Sequence, residues 1–335
     1  MKPSLLIWKL PAFALLCAGL NLGAQELTLL GGFTTKENFG KFSGTWQVDY
    51  RQDFYRYFAG SFAYINEGHL PGHHRDGNAA ELWGNLPMFQ DKFAISFGAG
   101  VYDFYDTQSL SGGDSADVHG TAPIYSISAT GYFSNRTYYR FMVNRINPAH
   151  DITVTTAAVG VGIWLGREKK PTPGKLGDAL DEKAYVTENE VTIFGGQSVV
   201  NTLFSQKALA GAVEYRRGVA SHVDGTASLI YEGDPKIVRR SGVTAQAWAV
   251  NSFFDERISL GFGAGPYVYI DRKHPREGNP RSPAAIAPLV SLTFAMRLSE
   301  QWVARLIWDR VTSNYNRDSD IFLAGFGYRW SQKPW

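Results

Sequence analysis

Seven histidines occur in the 335 residues, and five of them, His69, His73, His74, His119 and His150, fall in turn-rich stretches of the first half. The densest stretch, Glu67 to Gly77, reads EGHLPGHHRDG. Imidazole and carboxylate are ordinary ligands for divalent metals, so His69, His73 and Asp76 are candidate ligands there. No fixed-spacing metal motif accompanies them, and a solvated polar loop is the plainer expectation. Asp114 and Ser115 beside His119 offer a nucleophile and a base for catalysis, provided the fold brings the groups within hydrogen-bond reach. A second set is basic: Arg239, Arg240, Arg272 and Lys273 suit anionic phosphate or carboxylate groups, and together with His69, His73, His74, Arg75 and Asp76 they are the candidate ligand-binding residues of the outer loops. Nearby Asp234, Asp271 and Glu277 offset that charge, and the net charge of +2 gives no case for nucleic acid. No cofactor-binding fingerprint is evident.

The elements that must position these residues come in two copies. FGAGVYDFYD at Phe97 returns as FGAGPYVYID at Phe262, 165 positions later. The same shift carries Val48–Arg51 onto Val213–Arg216, Trp83 onto Trp248, Arg140 onto Arg305 and Gly160 onto Gly325. A match of this length, connections included, is an internal duplication. His69, His73, His74, His119 and His150 have Asp234, Val238, Arg239, Ala284 and Tyr315 as counterparts, so the copies keep their strands and diverge at their turns. Any special chemistry is therefore expected in the first copy.

Residues Lys41–Arg51 alternate strictly, with Phe42, Trp46, Val48 and Tyr50 on one face and Lys41, Gln47, Asp49 and Arg51 on the other. That is the period of a strand with one apolar and one polar face. Segments of this kind recur near 26–34, 41–51, 55–66, 79–88, 92–105, 122–133, 137–146 and 152–165, and again eight times in the second copy. Each is about the 9–11 residues a tilted membrane strand needs. Short gaps alternate with long ones such as 67–78 and 106–121, and aromatic residues stand near strand ends. The expected fold is all-β: a transmembrane antiparallel barrel of sixteen strands from two eight-strand repeats. One sixteen-stranded ring is favoured, and two tandem eight-stranded barrels are the alternative. Inward Gly98, Gly100, Gly160 and Gly162 beside inward Trp83 and Tyr102 argue for the filled interior of the smaller kind.

Residues 1–24 have the basic start, apolar middle and small-residue exit of a cleaved export signal. Cys17, the chain's one cysteine, lies inside it. The first repeat then spans 25–166, a charged segment with prolines 167–188, and the second repeat 189–335. On the polar strand faces lie Asp49, Arg51, Glu81 and Arg140, and in the second copy Glu214, Arg216, Arg305 and Asp309. These either pair inside a filled barrel or line an open lumen.

The last strand ends AGFGYRW, with Tyr328 and Trp330 at alternate positions. It resembles the closing strand that outer-membrane assembly machinery recognises in barrel proteins of Gram-negative bacteria. The resemblance implies a bacterial outer-membrane location with that machinery and membrane lipid as partners, and the basic residues of the second copy's turns add lipopolysaccharide or an anionic glycan. In pattern the chain resembles porins and polysaccharide-export barrels. The leading expectation is a pore or export channel, for polysaccharide or small polar solutes, without catalysis. The alternatives are an enzyme modifying lipid A or phospholipid at the first repeat's outer loops, and a non-conducting structural barrel. Lipid A deacylases carry a His-x-Ser pair that no histidine here shows, and the Asp-Ser pair of the palmitoyltransferases is matched only by Asp114-Ser115.

Overall fold

The computed structural model describes residues 25–37, 40–55, 57–110, 115–133, 136–149, 151–165, 188–202, 205–220, 222–235, 238–254, 256–272, 285–314 and 317–331. The expected export signal, all but the last residue of the charged segment 167–188, Asp114, His150 and Lys273 lie outside these. The chain divides into two compact units.

In the first unit the strands are β1 (Gln25–Lys36), β2 (Phe42–Tyr55), β3 (Phe58–Leu70), β4 (His73–Met88), β5 (Phe93–Ser109), β6 (Ser115–Tyr132), β7 (Thr137–Ile146) and β8 (Val154–Trp164). In the second they are β9 (Asn189–Val200), β10 (Gln206–Ala220), β11 (Val223–Tyr231), β12 (Arg240–Phe253), β13 (Ile258–Arg272), β14 (Ile286–Arg297), β15 (Trp302–Val311) and β16 (Ser319–Trp330). Within each unit every strand pairs antiparallel with its chain neighbours.

The single sixteen-stranded ring is corrected by the two closing seams. β1 pairs with β8, Glu26 facing Trp164, and β9 pairs with β16, Asn189 facing Trp330. Each unit is thus a hydrogen-bonded ring of eight, and β8 has no free edge left to offer β9. The seams carry Gly160 and its counterpart Gly325. A Cβ at either would fall against the facing strand's backbone carbonyl, that of Leu29 or of Ile193. Glycine at this place lets the two edge strands meet closely enough to close a small ring.

The second correction concerns length. Residues 67–78 and 106–121, read as long loops, are largely strand: β3 and β4 are joined by a two-residue turn at Pro71-Gly72, with Gly72 at φ 79°. Ladder pairing continues through the histidines, His69 facing His74 and Arg75 facing Asp106. Backbone pairing does not need apolar alternation, so it outruns the membrane-length pattern.

Orientation of the alternation decides the class. On β7, Tyr139 and Phe141 are 46% and 50% exposed, while Arg140 between them is 0% exposed. Leu29, Leu82, Ile127, Val161, Ile193, Leu209, Leu229 and Phe326 are likewise exposed, whereas Asp49, Glu81, Arg216 and Arg305 are buried. A soluble barrel would place these faces the other way round. Apolar outside and charged inside is the arrangement of a barrel bathed in lipid. Ring pairs Trp302–Tyr328 and Tyr215–Trp330 gather at the short-turn end of the second unit, as interfacial aromatics do.

Candidate functional site

Three layers of side chains fill the first unit. Nearest the short-turn end, Arg140 of β7 donates to Asp49 Oδ1 at 2.9 Å and to the hydroxyls of Thr28 and Thr130 at 3.0 Å each. It also pairs with Glu26. Glu26 accepts a further bond from the Tyr132 hydroxyl at 2.8 Å. Arg51 lies 3.6 Å over the Trp83 ring and donates to Ser128 Oγ. Glu81 is buried in the same layer with Asp49 and Arg51 as charged neighbours. Strand parity brings these groups together: each sits on the polar face of its own strand, and closing the ring turns those faces inward.

An apolar layer follows, made of Ile65, Ala79, Tyr102, Phe104, Ile124, Ile146 and Val154 among others. Beyond it, at the long-connection rim, Arg75 makes a two-pronged bond to Glu67, Nε to Oε1 at 3.0 Å and Nη2 to Oε2 at 2.8 Å. Its Nη1 reaches the Ile152 carbonyl at 3.0 Å and lies 3.5 Å from Asp151. His73 Nδ1 is 2.6 Å from Asp106 Oδ2 and 3.8 Å from Asp151 Oδ1.

The second unit repeats the plan with different members. Arg305 grips Glu190 through two bonds of 2.9 Å and donates to Thr293 Oγ1 at 3.1 Å. Arg216 pairs with Glu214 at 3.0 Å and Asp224 at 3.3 Å and lies 4.3 Å from the Trp248 ring centre. Asp309 accepts from Ser291, which in turn accepts from Gln246 at 2.8 Å. An apolar layer with Tyr267, Leu289, Val311 and Ile321 follows. At the rim Arg240 lies 3.6 Å from Glu232 and donates to Ser319 Oγ at 3.2 Å and the Arg317 carbonyl at 2.6 Å. At its short-turn end this unit has an open recess of about 380 Å³ with its solvent, lined by Glu190, Asp224, Glu256, Arg257, Arg297, Arg305 and Arg329, with smaller neighbours.

The eight polar-face residues singled out in the sequence all sit inside the rings, five of them in ion pairs: Asp49, Arg140, Glu214, Arg216 and Arg305. The rim candidates divide differently. Arg75 and Arg240 are buried in links to Glu67 and Glu232 and present no free surface to a ligand. Arg239 is exposed. The side chain of Arg272 lies outside the described residues.

The ligand trio His69, His73 and Asp76 is not assembled. His73 and Asp76 stand three apart on one strand and so leave it on opposite faces, and His69 stacks on His74 at 4.1 Å. Ser115 and His119 do not meet either. Both lie on β6, and four residues of strand separate them by about 13 Å. His119 instead sets its ring against Tyr105. The candidates read from the sequence do not include the buried acids Glu26 and Glu190, nor Glu67, Asp106, Asp224 and Glu232. Glu26 and Glu190 are the most informative of these. They are the second residues of β1 and β9, and their 164-residue offset, one short of the main repeat, is the signal that could have found them.

No family model and no curated protein matches the chain. Among solved structures, the N-terminal β-barrel domain of Pseudomonas aeruginosa OprF aligns over 42% of this chain and 99% of its own, at 10% identity and a TM-score of 0.35. Neisserial surface protein A aligns over 43% and 96%, at 10% identity and 0.31. The NanC porin aligns over 91% and 100%, at 7% identity and 0.22. The structural neighbours are outer-membrane β-barrels.

Proposed function

We propose that the chain is an outer-membrane protein of the pore type, built as two narrow conduits in tandem, each shut at rest by its own interior side chains. The observation that carries this reading is the inverted distribution of polarity: buried arginine–carboxylate layers inside, exposed leucine, valine and aromatic residues outside. Eight strands enclose a space just wide enough for side chains, which suits small polar solutes after a rearrangement and leaves no bore for a polysaccharide. The recess of the second unit reaches Arg305 and Glu190, so that ion pair is the place to test for opening. We take residues 1–24 as the export signal, and lipid, lipopolysaccharide and the assembly machinery as its surroundings. Exposed Arg239 and His69 are candidate contacts for an anionic glycan. No contact between Ser115 and His119 supports the lipid-modifying reading.

Planar-bilayer recording of the purified chain tests the proposal. Wild type should show small, infrequent openings, and Arg305→Ala, which releases Glu190 at the floor of the recess, should raise their frequency about tenfold. Silence from both, with the variant still folded in detergent, would assign the protein to non-conducting structural barrels.

A further inference from the structure

The rim of the first unit holds one feature that neither the barrel nor a conduit requires. His73 and Asp106 project inward from β4 and β5, and Asp151 of the β7–β8 connection closes over them. One ligand atom from each lies within 4.8 Å of the other two. The surroundings carry three carboxylates, Glu67, Asp106 and Asp151, against one guanidinium, that of Arg75. Asp106 is 1% exposed, and its Oδ1 has no hydrogen-bond partner among the described residues. An orphaned carboxylate oxygen in a negatively charged enclosure is an unfavourable arrangement that a bound cation relieves.

The duplication supplies a built-in control. The second unit keeps the arginine–glutamate link as Arg240 and Glu232, so that link belongs to the barrel. At the place of His73 it has Val238, 1% exposed, and at the place of Asp151 the sequence has Asn316. Two of the three donors have therefore been exchanged for groups that cannot ligate as an imidazole and a carboxylate do, while the structural pair remains.

We propose that His73, Asp106 and Asp151 bind a divalent transition-metal cation at the long-connection rim of the first unit. One imidazole with two carboxylates suits zinc, manganese or cobalt rather than calcium. Donors around a tetrahedral zinc stand about 3.3 Å apart, so the 2.6 Å contact between His73 and Asp106 must open by about 0.7 Å on loading. Rotation of the Asp106 carboxylate, whose Oδ1 is unengaged, supplies that movement and exchanges the 3.0 Å bond that Oδ2 accepts from Gln108 Nε2. His73, with 17% of its side chain exposed, leaves a path to solvent, and waters complete the shell.

The test uses the full chain folded in detergent, stripped with EDTA and titrated with Zn2+ by calorimetry. Wild type should bind a single ion. Asp106→Asn and Asp151→Asn should each weaken binding at least ~10-fold. The double change His69→Ala with His74→Ala removes the stacked surface imidazoles and should leave the affinity unchanged. Equal affinity in wild type and in the two asparagine variants would overturn the proposal, as would loss of binding in the double alanine variant. Asp151 belongs to no strand, so its variant keeps the test decisive if Asp106→Asn fails to fold. Heat-modified gel mobility reports folding for every variant. The result is independent of conductance, because the site lies at the opposite end of its ring from the ion-pair layer that shuts it.

Discussion

The two units solve one problem with different numbers of partners. Arg140 serves two carboxylates, Glu26 and Asp49, and two hydroxyls, whereas its counterpart Arg305 serves one carboxylate and one hydroxyl. In the second unit the remaining acids have moved to Arg216, which holds Glu214 and Asp224. The counterpart of Asp224 in the first unit is Ala59, and there Arg51 leans on Trp83 and Ser128 instead. The duplicated strands thus preserve a cation at each of two interior positions and let the anions migrate between them. What is held constant is a pair of buried guanidiniums among carboxylates in each interior, since an uncompensated buried charge is far costlier than a repositioned one.

The largest effect expected from this comparison follows loss of the shared cation. Arg140→Met leaves Glu26 and Asp49 buried without the guanidinium that pairs with both and should destabilise by about 3–5 kcal/mol. Arg305→Met strands Glu190 alone and should fall near the low end of that range. Urea unfolding of each variant from lipid vesicles gives the ranking, and an Arg305 variant as weak as the Arg140 variant would erase the distinction. A second pair asks whether both rings meet lipid. Leu29 and its counterpart Ile193 are 59% and 67% exposed on corresponding outward positions. Leu29→Arg and Ile193→Arg should each cost about 2–4 kcal/mol in vesicles if both sit near the bilayer midplane. A neutral Ile193→Arg beside a costly Leu29→Arg would take the second ring out of the membrane.

Much of this organisation was legible in the residues. Alternation located sixteen strands, because a wall between lipid and a polar interior forces a period of two on every segment. Closure was not legible. Whether β8 pairs with β1 or β9 depends on a contact far apart in sequence, and Gly160 and Gly325 read equally well as small interior positions or as seam residues. The rim misled for the opposite reason. Glycine, histidine and aspartate between 67 and 78 end the apolar pattern, yet the ladder runs on through His69 and His74. The grouping of His73 with Asp106 and Asp151 needed three separate segments of chain, so no spacing announced it.

The smallest predicted effect tests how tightly each interior is filled. Gly162 and its counterpart Gly327 occupy equivalent places on β8 and β16, but their neighbours differ. A Cβ at Gly162 would strike the ring of Tyr138, whose hydroxyl is bound to Thr28 at 2.8 Å and which lies against Arg140. Tyr138 is therefore fixed at both ring and tip, and it cannot yield without disturbing the ion-pair layer. A Cβ at Gly327 meets Thr192 Oγ1, Val303 Cγ1 and, at 3.2 Å, Glu190 Cγ, with Val303 standing where the first unit has Tyr138. Thr192 is held too, donating to Glu190 at 2.8 Å, but none of these groups has the bulk of the anchored tyrosine ring. Gly162→Ala should thus cost about 1–3 kcal/mol and Gly327→Ala less than about 1 kcal/mol in the same urea series. Equal losses would mean that the second ring is packed as tightly as the first.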